Sequence, residues 1–243
     1  MKRVAIVGFA ASRHQAPFDD PDVEIWGMNR LHAAMPDKRW NRWFQLHAVD
    51  EEHEGSELEA HLKWLRTQSF PIMIRPQDVG KYDIPTEEPY PIDDMINLFG
   101  SYFTNTVSYM LAYAITYGAE EIGVYGVDMA QDGVVDGEYA YQRPSCEYFL
   151  GCAAGAGIQI ILPPGSDLLK ATHLYGLEDG GVLRVKYEER FKELQARKQE
   201  MQNQLATIDS QRAQLIGAMN QMDGAMQDVQ YWRRNWAQSK ETT

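Results

Sequence analysis

The chain has 243 residues, 44% of them apolar and 24% charged, with a formal charge of −12. These values predict one globular domain with an appendage and exclude a disordered chain. The acidic balance disfavours generic nucleic-acid binding, which needs clustered Lys and Arg to neutralise phosphates.

The first residues, MKRVAIVGFAASR, begin like a leader peptide. The apolar stretch is short, however, and His14, Asp19, Asp20 and Asp22 follow where a cleavage site would lie. Residues 4–7 therefore read as a buried parallel strand ending at Gly8. Residues 23–28 (VEIWGM) and 42–47 (RWFQLH) read as the second and third strands. A helical pattern follows over 56–67 through Leu58, Leu62 and Leu65, in which His61 is expected at the surface. Residues 71–75 (PIMIR) form a fourth strand, and the proline-rich, acidic stretch 76–95 reads as a long loop.

Residues 102–117 form a mostly apolar helix that stops at Gly118, and 121–126 (EIGVYG) a fifth strand. Residues 132–143 read as a polar, aromatic-rich loop, residues 145–154 as a helix, and residues 158–162 (IQIIL) as a sixth strand closed by Pro163 and Pro164. Alternating strands and helices predict an α/β fold with a Rossmann-like parallel sheet flanked by helices. Two cysteines, Cys146 and Cys152, make no disulfide scaffold and no CxxC motif, and are expected to pack in the core of a cytoplasmic protein. No apolar run reaches the length of a membrane span.

Charge divides the chain. Residues 1–183 carry 13 basic and 27 acidic side chains, and residues 184–243 carry 10 and 8. Gly180 and Gly181 mark the change, so a domain over 1–180 and an amphipathic helix or coiled coil over 187–238 are expected. With Phe191 at heptad position a, the d positions are Leu194, Met201, Ile208, Leu215, Met222, Val229 and Trp236, all apolar. The a positions are Phe191, Lys198, Leu205, Arg212, Met219, Met226 and Arg233. The pattern fits homo-oligomerisation through the tail, a helix packed on its own body, or a helical hairpin bent near Gly217 or Gly224. The mixed charges disfavour a membrane-surface helix.

In open parallel sheets ligands bind beyond the carboxyl ends of the strands. After the first strand come Gly8, Ala10, Ala11, Ser12 and Arg13; Ser12 can cap the next helix, whose amides can face an anion. This is neither GxGxxG nor a Walker A motif. Asn29 ends the second strand and can cap a helix or read a base or ribose. His47, with Asp50, Glu51, Glu52 and His53, matches no standard metal-ligand spacing, so neither metal nor cofactor is expected. Thr104, Asn105 and Thr106 open the apolar helix, as a cap or as an anion or ribose site. Asp128 follows the fifth strand, and Glu138, Tyr139, Tyr141, Gln142 and Arg143 crowd the next loop. The guanidinium fork of Arg143 suits a phosphate or carboxylate.

GFAAS after the first strand, WGMN at the second, TNTVSYMLAYAITYGAEEIGVYGVDM and LPPGSDLL together resemble the bacterial sialyltransferases that use CMP-sialic acid. They also resemble Rossmann-like proteins of flagellin glycosylation and the pterin-pyrophosphokinase-like group, and uncharacterised bacteriophage proteins with a similar helical tail. The resemblance spans residues 3–170. It implies that Gly8, Ala10, Ala11, Ser12 and Asn29 contact a nucleotide, that Thr104, Asn105 and Thr106 stand where the family has Thr-Ser-Gly, and that Tyr139 and Tyr141 serve the phosphate. Two departures stand out: the first loop reads Phe-Ala-Ala instead of Asn-Gly-Pro, and residues 129–157 hold no counterpart of the family's general-base His. Glu138 or Glu147 would have to replace it.

Three functions follow as expectations. The first is a nucleotide or nucleotide-sugar binding protein of glycosyltransferase type, with Arg13, Arg143 and the tyrosines stabilising the leaving phosphate. The second is a non-catalytic phage-type protein, in the host cytoplasm, that sequesters a nucleotide signal. The third is an oligomeric scaffold built on the tail.

Overall fold

The computed structural model describes residues 1–52, 55–129, 138–170, 174 and 181–239. The chain forms two compact units, Met1–Lys170 and Ala171–Thr243.

The first unit is a seven-stranded, wholly parallel sheet in the order β5-β4-β3-β2-β1-β6-β7. Its strands are β1 (Arg3–Val7), β2 (Val23–Met28), β3 (Arg42–Gln45), β4 (Ile72–Ile74), β5 (Glu87–Pro89), β6 (Glu121–Tyr125) and β7 (Gln159–Ile161). The chain starts at the central β1, steps outward to β5, then returns to the other side of β1 for β6 and β7. The order therefore reverses between β1 and β6, which places a topological switch point at their carboxyl ends.

A parallel sheet buries both faces, and the period of two along each strand divides the core accordingly. Val4 and Ile6 of β1, Trp26 and Met28 of β2, and Ile122 and Val124 of β6 face one cluster. It is completed by α4 (Ile92–Phe99), α5 (Thr106–Thr116) and α6 (Glu138–Gly155). Ala5, Val7, Ile25, Trp43, Ile72 and Ile74 face the other. There α1 (Leu31–Ala34) contributes Leu31, and α3 (Gly55–Arg66) contributes Leu62 and Leu65. A one-turn helix, α2 (Val49–Glu52), leads into α3. Phe44 is fully buried and packs against Trp26 at 5.5 Å and Tyr113 at 5.7 Å between ring centroids.

Several sequence expectations are corrected here. The stretch 76–95 is not a long loop: it holds the 3-10 turn Pro76–Asp78, strand β5 and the start of α4. β5 pairs only with β4, so as an edge strand it tolerates Pro89 and the acidic Glu87 and Glu88, and it carries no apolar run to betray it. Residues 138–143 are the opening turns of α6, not loop, and the helix continues through Pro144. Downstream of that proline, Ser145, Cys146, Phe149, Leu150 and Ala153 bury a continuous face, which holds the helix against the sheet. Residues 132–137 lie outside the described residues.

In the second unit, α7 (Gly181–Ser239) is one continuous helix of 59 residues. It passes through Gly217 and Gly224 without a break, so the hairpin alternative does not form. Among the described residues, no helix is long and apolar enough to cross a membrane.

Truncating the central aromatic tests this packing. Phe44→Ala is expected to lower the stability of the first unit by about 3–5 kcal/mol, the range for a buried Phe replaced by Ala. The check is a urea melt followed by Trp fluorescence; an unchanged midpoint would refute the placement of Phe44 at the centre of the core.

Candidate functional site

The loops after β1 and β6 meet at the switch point. Gly8 N donates to Tyr125 O and Ala10 N to Gly126 O, both at 2.8 Å. The two backbones run so close that a Cβ on Gly8 would lie 2.5 Å from Gly126 O, and a Cβ on Gly126 would collide with Gly8 O. Gly126 also has φ +68°, which glycine adopts without strain. These glycines bring two loops together; they do not make a phosphate loop on their own.

Ser12 completes the junction. It is buried, accepts from Gly126 N at 2.7 Å and donates to Asp128 Oδ1. The expectation that Ser12 caps a helix is corrected. The segment Ala11–Gln15 is a 3-10 turn with Ala10 at its N-cap and no side-chain capping bond, because the Ser12 hydroxyl is turned towards β6 instead. Asp128 is buried as well, and its carbonyl accepts from Asp167 N at 2.7 Å, which ties in the segment after β7.

Two side chains at this edge of the sheet are incompletely used. Arg13 donates through Nη1 to Phe9 O, while its buried Nε has no partner. Asn29 follows β2 with φ +50°, in the left-handed region. Its backbone is fully engaged: N donates to Phe44 O at 3.0 Å and O accepts from Trp43 Nε1 at 3.1 Å. Its buried Oδ1 has no donor. Asn29 does not cap α1, whose N-cap is Arg30 with no side-chain bond. A buried acceptor and a buried donor are thus left for a ligand or for water. Phe9, between the two backbone bonds that pin its neighbours, is exposed.

Thr104, Asn105 and Thr106 form a second cluster, at the start of α5. Because α5 leads into the parallel strand β6, its N-terminus lies at the carboxyl edge of the sheet. Asn105 is the N-cap, its Oδ1 accepting from Ser108 N at 2.8 Å. Its Nδ2 donates to Gln142 O at 3.1 Å and reaches Cys146 Sγ at 3.2 Å. Thr104 Oγ1 lies 2.7 Å from Ser145 Oγ, and Thr106 is buried. These groups clamp α5 to α6. Burial pushes the Cys146 thiol up to about 12, so it stays protonated at neutral pH.

On α6, Arg143 pairs with Glu147 at 2.8 Å, and Glu147 also accepts from Leu169 N at 3.0 Å. Tyr141 is exposed. The side chains of Glu138 and Tyr139 lie outside the described residues.

One polar cluster escaped the sequence reading. His61 is buried, not at the surface. Gln45 donates to His47 O at 3.1 Å, which turns its Oε1 towards His61 Nε2 at 3.0 Å. His61 therefore carries its proton on Nε2 and accepts at Nδ1 from His32 Nε2, 2.8 Å away. His32 stacks on Trp64 with centroids 4.0 Å apart. The signal was present: Leu58, His61, Leu62 and Leu65 share one helical face. Burial, helped by the nearby Arg30 charge, holds the His32 pKa at about 4.

No protein-family model matches the chain, and no curated protein does. Solved structures do. The sialyltransferase CstII from Campylobacter jejuni, in complex with the substrate analogue CMP-3FNeuAc, is 17% identical with a TM-score of 0.50, covering 69% of this chain and 84% of that one. A point variant of the sialyltransferase CST-II in complex with CMP is 19% identical with the same TM-score and coverage. The first unit thus shares the fold of these sialyltransferases.

Two outcomes follow. Ser12→Ala removes the acceptor for Gly126 N and the donor to Asp128, and is expected to cost about 1–3 kcal/mol in chemical denaturation; no loss would show that the hydroxyl does not hold the junction. His32 has a folded pKa below its reference of 6.5. Between pH 6.5 and about 4 the unfolded chain binds a proton that the folded chain does not, so stability is complete above that window and falls with falling pH inside it. Urea midpoints against pH should show this decline in the parent protein and a smaller one in His32→Phe. Parallel curves would refute it.

Proposed function

We propose that the first unit binds a nucleotide or nucleotide sugar at the switch point between β1 and β6, as a protein of glycosyltransferase type. The observation that carries this reading is the pair of buried, unpartnered polar atoms at the carboxyl edge, Arg13 Nε and Asn29 Oδ1. A cationic donor suits a phosphate, and an amide oxygen suits a ribose hydroxyl or a base amino group. The fold shared with sialyltransferases that were captured with CMP and a CMP-sugar analogue supports cytidine as the base.

Gly8 and Ala10 allow the backbone to approach the ligand, while Ser12 and Asp128 hold the loop that does so. Thr104, Asn105 and Thr106 act by fixing the α5 terminus beside the crevice, and Tyr141 is free to reach a phosphate. Transfer would break the bond from the sugar carbon to the phosphate and would need a base for the acceptor hydroxyl. Glu147 is already held by Arg143 and Leu169 N, so it is poorly placed to serve. That engagement favours a second reading, binding without turnover, for which the same crevice suffices.

Thermal shifts with CMP, CDP, UDP, ADP, CMP-sugars, ADP-ribose and cyclic dinucleotides separate these readings. A ligand present at about one hundred times its Kd should stabilise the protein by about 2.7 kcal/mol. CMP or a CMP-sugar is expected to give the largest shift, with Arg13→Ala and Asn29→Ala each weakening it by about tenfold, one lost charge-assisted or buried bond. A response to ADP-ribose or cyclic species alone would favour sequestration, and no response to any nucleotide would refute the site.

A further inference from the structure

The apolar seam of α7 has no partner among the described residues of its own unit. Phe191, Met201, Leu205, Ile208, Leu215 and Met222 are each between 58% and 69% exposed. A row of exposed apolar side chains of this length marks an interaction site. Three candidates could cover it: the first unit, a foreign helix, or a second copy of α7.

At 1.5 Å per residue, the seam from Phe191 to Val229 runs for about 57 Å, so whatever covers all of it must be about as long. The heptad repeat argues further, because d positions that stay apolar through seven heptads are matched by a helix with the same period and the same length. A second copy of α7 has both, and is present wherever the first is.

The cations choose the orientation. Lys198, Arg212 and Arg233 occupy a positions. In a parallel pair, a residues face a residues, so three layers would set like charges against each other inside the seam. In an antiparallel pair, a faces d. With every heptad overlapped, Lys198 meets Val229 of the second copy, Arg212 meets Leu215, and Arg233 meets Leu194. Each cation then lays its aliphatic stem along an apolar neighbour and sends its charged end to water. The other layers join apolar residues, among them Leu205 with Met222 and Met219 with Ile208. We propose that α7 pairs with α7 of a second copy as an antiparallel two-stranded coiled coil in this register.

The proposal does not depend on what the first unit binds. Its test begins with sedimentation velocity on the full chain at micromolar concentration, where a species of twice 27.8 kDa is expected. Ile208→Asp, which puts a charge into the seam at an exposed position of the monomer, should raise the dimer dissociation constant by about tenfold or more. Orientation is read by oxidising an equimolar mixture of Leu205→Cys and Met222→Cys chains, each also carrying Cys152→Ser; Cys146 is buried and stays out of reach. The expected product is the mixed disulfide between positions 205 and 222, with none from Leu205→Cys alone. A monomer, a larger oligomer, a disulfide between two copies of position 205, or a dimer in which the mixed disulfide does not form would each overturn the proposal.

Discussion

The contact between Gly8 and Gly126 is the constraint on which the site depends. Two parallel strands that are neighbours in the sheet but far apart in sequence must release their loops at the same place. Only with hydrogen in place of both Cβ atoms can the loops lie backbone to backbone. Once they do, Ala10 N and Gly8 N find carbonyls across the junction. Ser12 then falls within reach of Gly126 N and Asp128. Gly8, Ala10 and Ser12 are thus spent on holding the two loops together, while Arg13 Nε and Asn29 Oδ1, at the same edge of the sheet, are buried without a partner.

How far this was legible in the sequence varied with the physical signal. Strands buried on both faces, such as β1 and β2, announce themselves as apolar runs, because the sheet leaves no solvent side to encode. β5 is invisible for the opposite reason: at the edge it pairs once and carries two glutamates and a proline in place of an apolar run. The start of α6 was hidden by Pro144, which lacks an N–H and sits inside the helix, where the buried face downstream outweighs one missing bond. His61 was readable from its place on the apolar face of α3 and was misjudged by residue type alone. Asn105 and Asn29 had the same two options, cap or ligand contact. Only the fold distinguishes them, by giving the Asn105 oxygen a backbone N–H and leaving the Asn29 oxygen without one.

The polar groups around the crevice separate by what they do. Thr104, Asn105, Gln142, Ser145 and Cys146 knit α5 to α6. Gln45, His61 and His32 form a chain beneath α1 and α3, each tautomer set by the bond before it. Such networks cost stability when half satisfied and rigidify when complete. One fixes α5 to α6 and the other fixes the end of β3 to α3 and α1, and such restraint of the elements around a sheet edge is the condition for a ligand to be held by a few fixed donors instead of a flexible loop.

Charge makes that condition matter. Residues 1–183 have over twice as many acidic as basic side chains, so the body repels anions at long range. A polyanion would lay many phosphates along that surface and gain nothing for most of them. At the carboxyl edge of the sheet the same net-negative body holds a desolvated cationic donor, Arg13 Nε. The positive potential within this acidic body is therefore local, confined to buried donors such as Arg13, and is not spread along the surface.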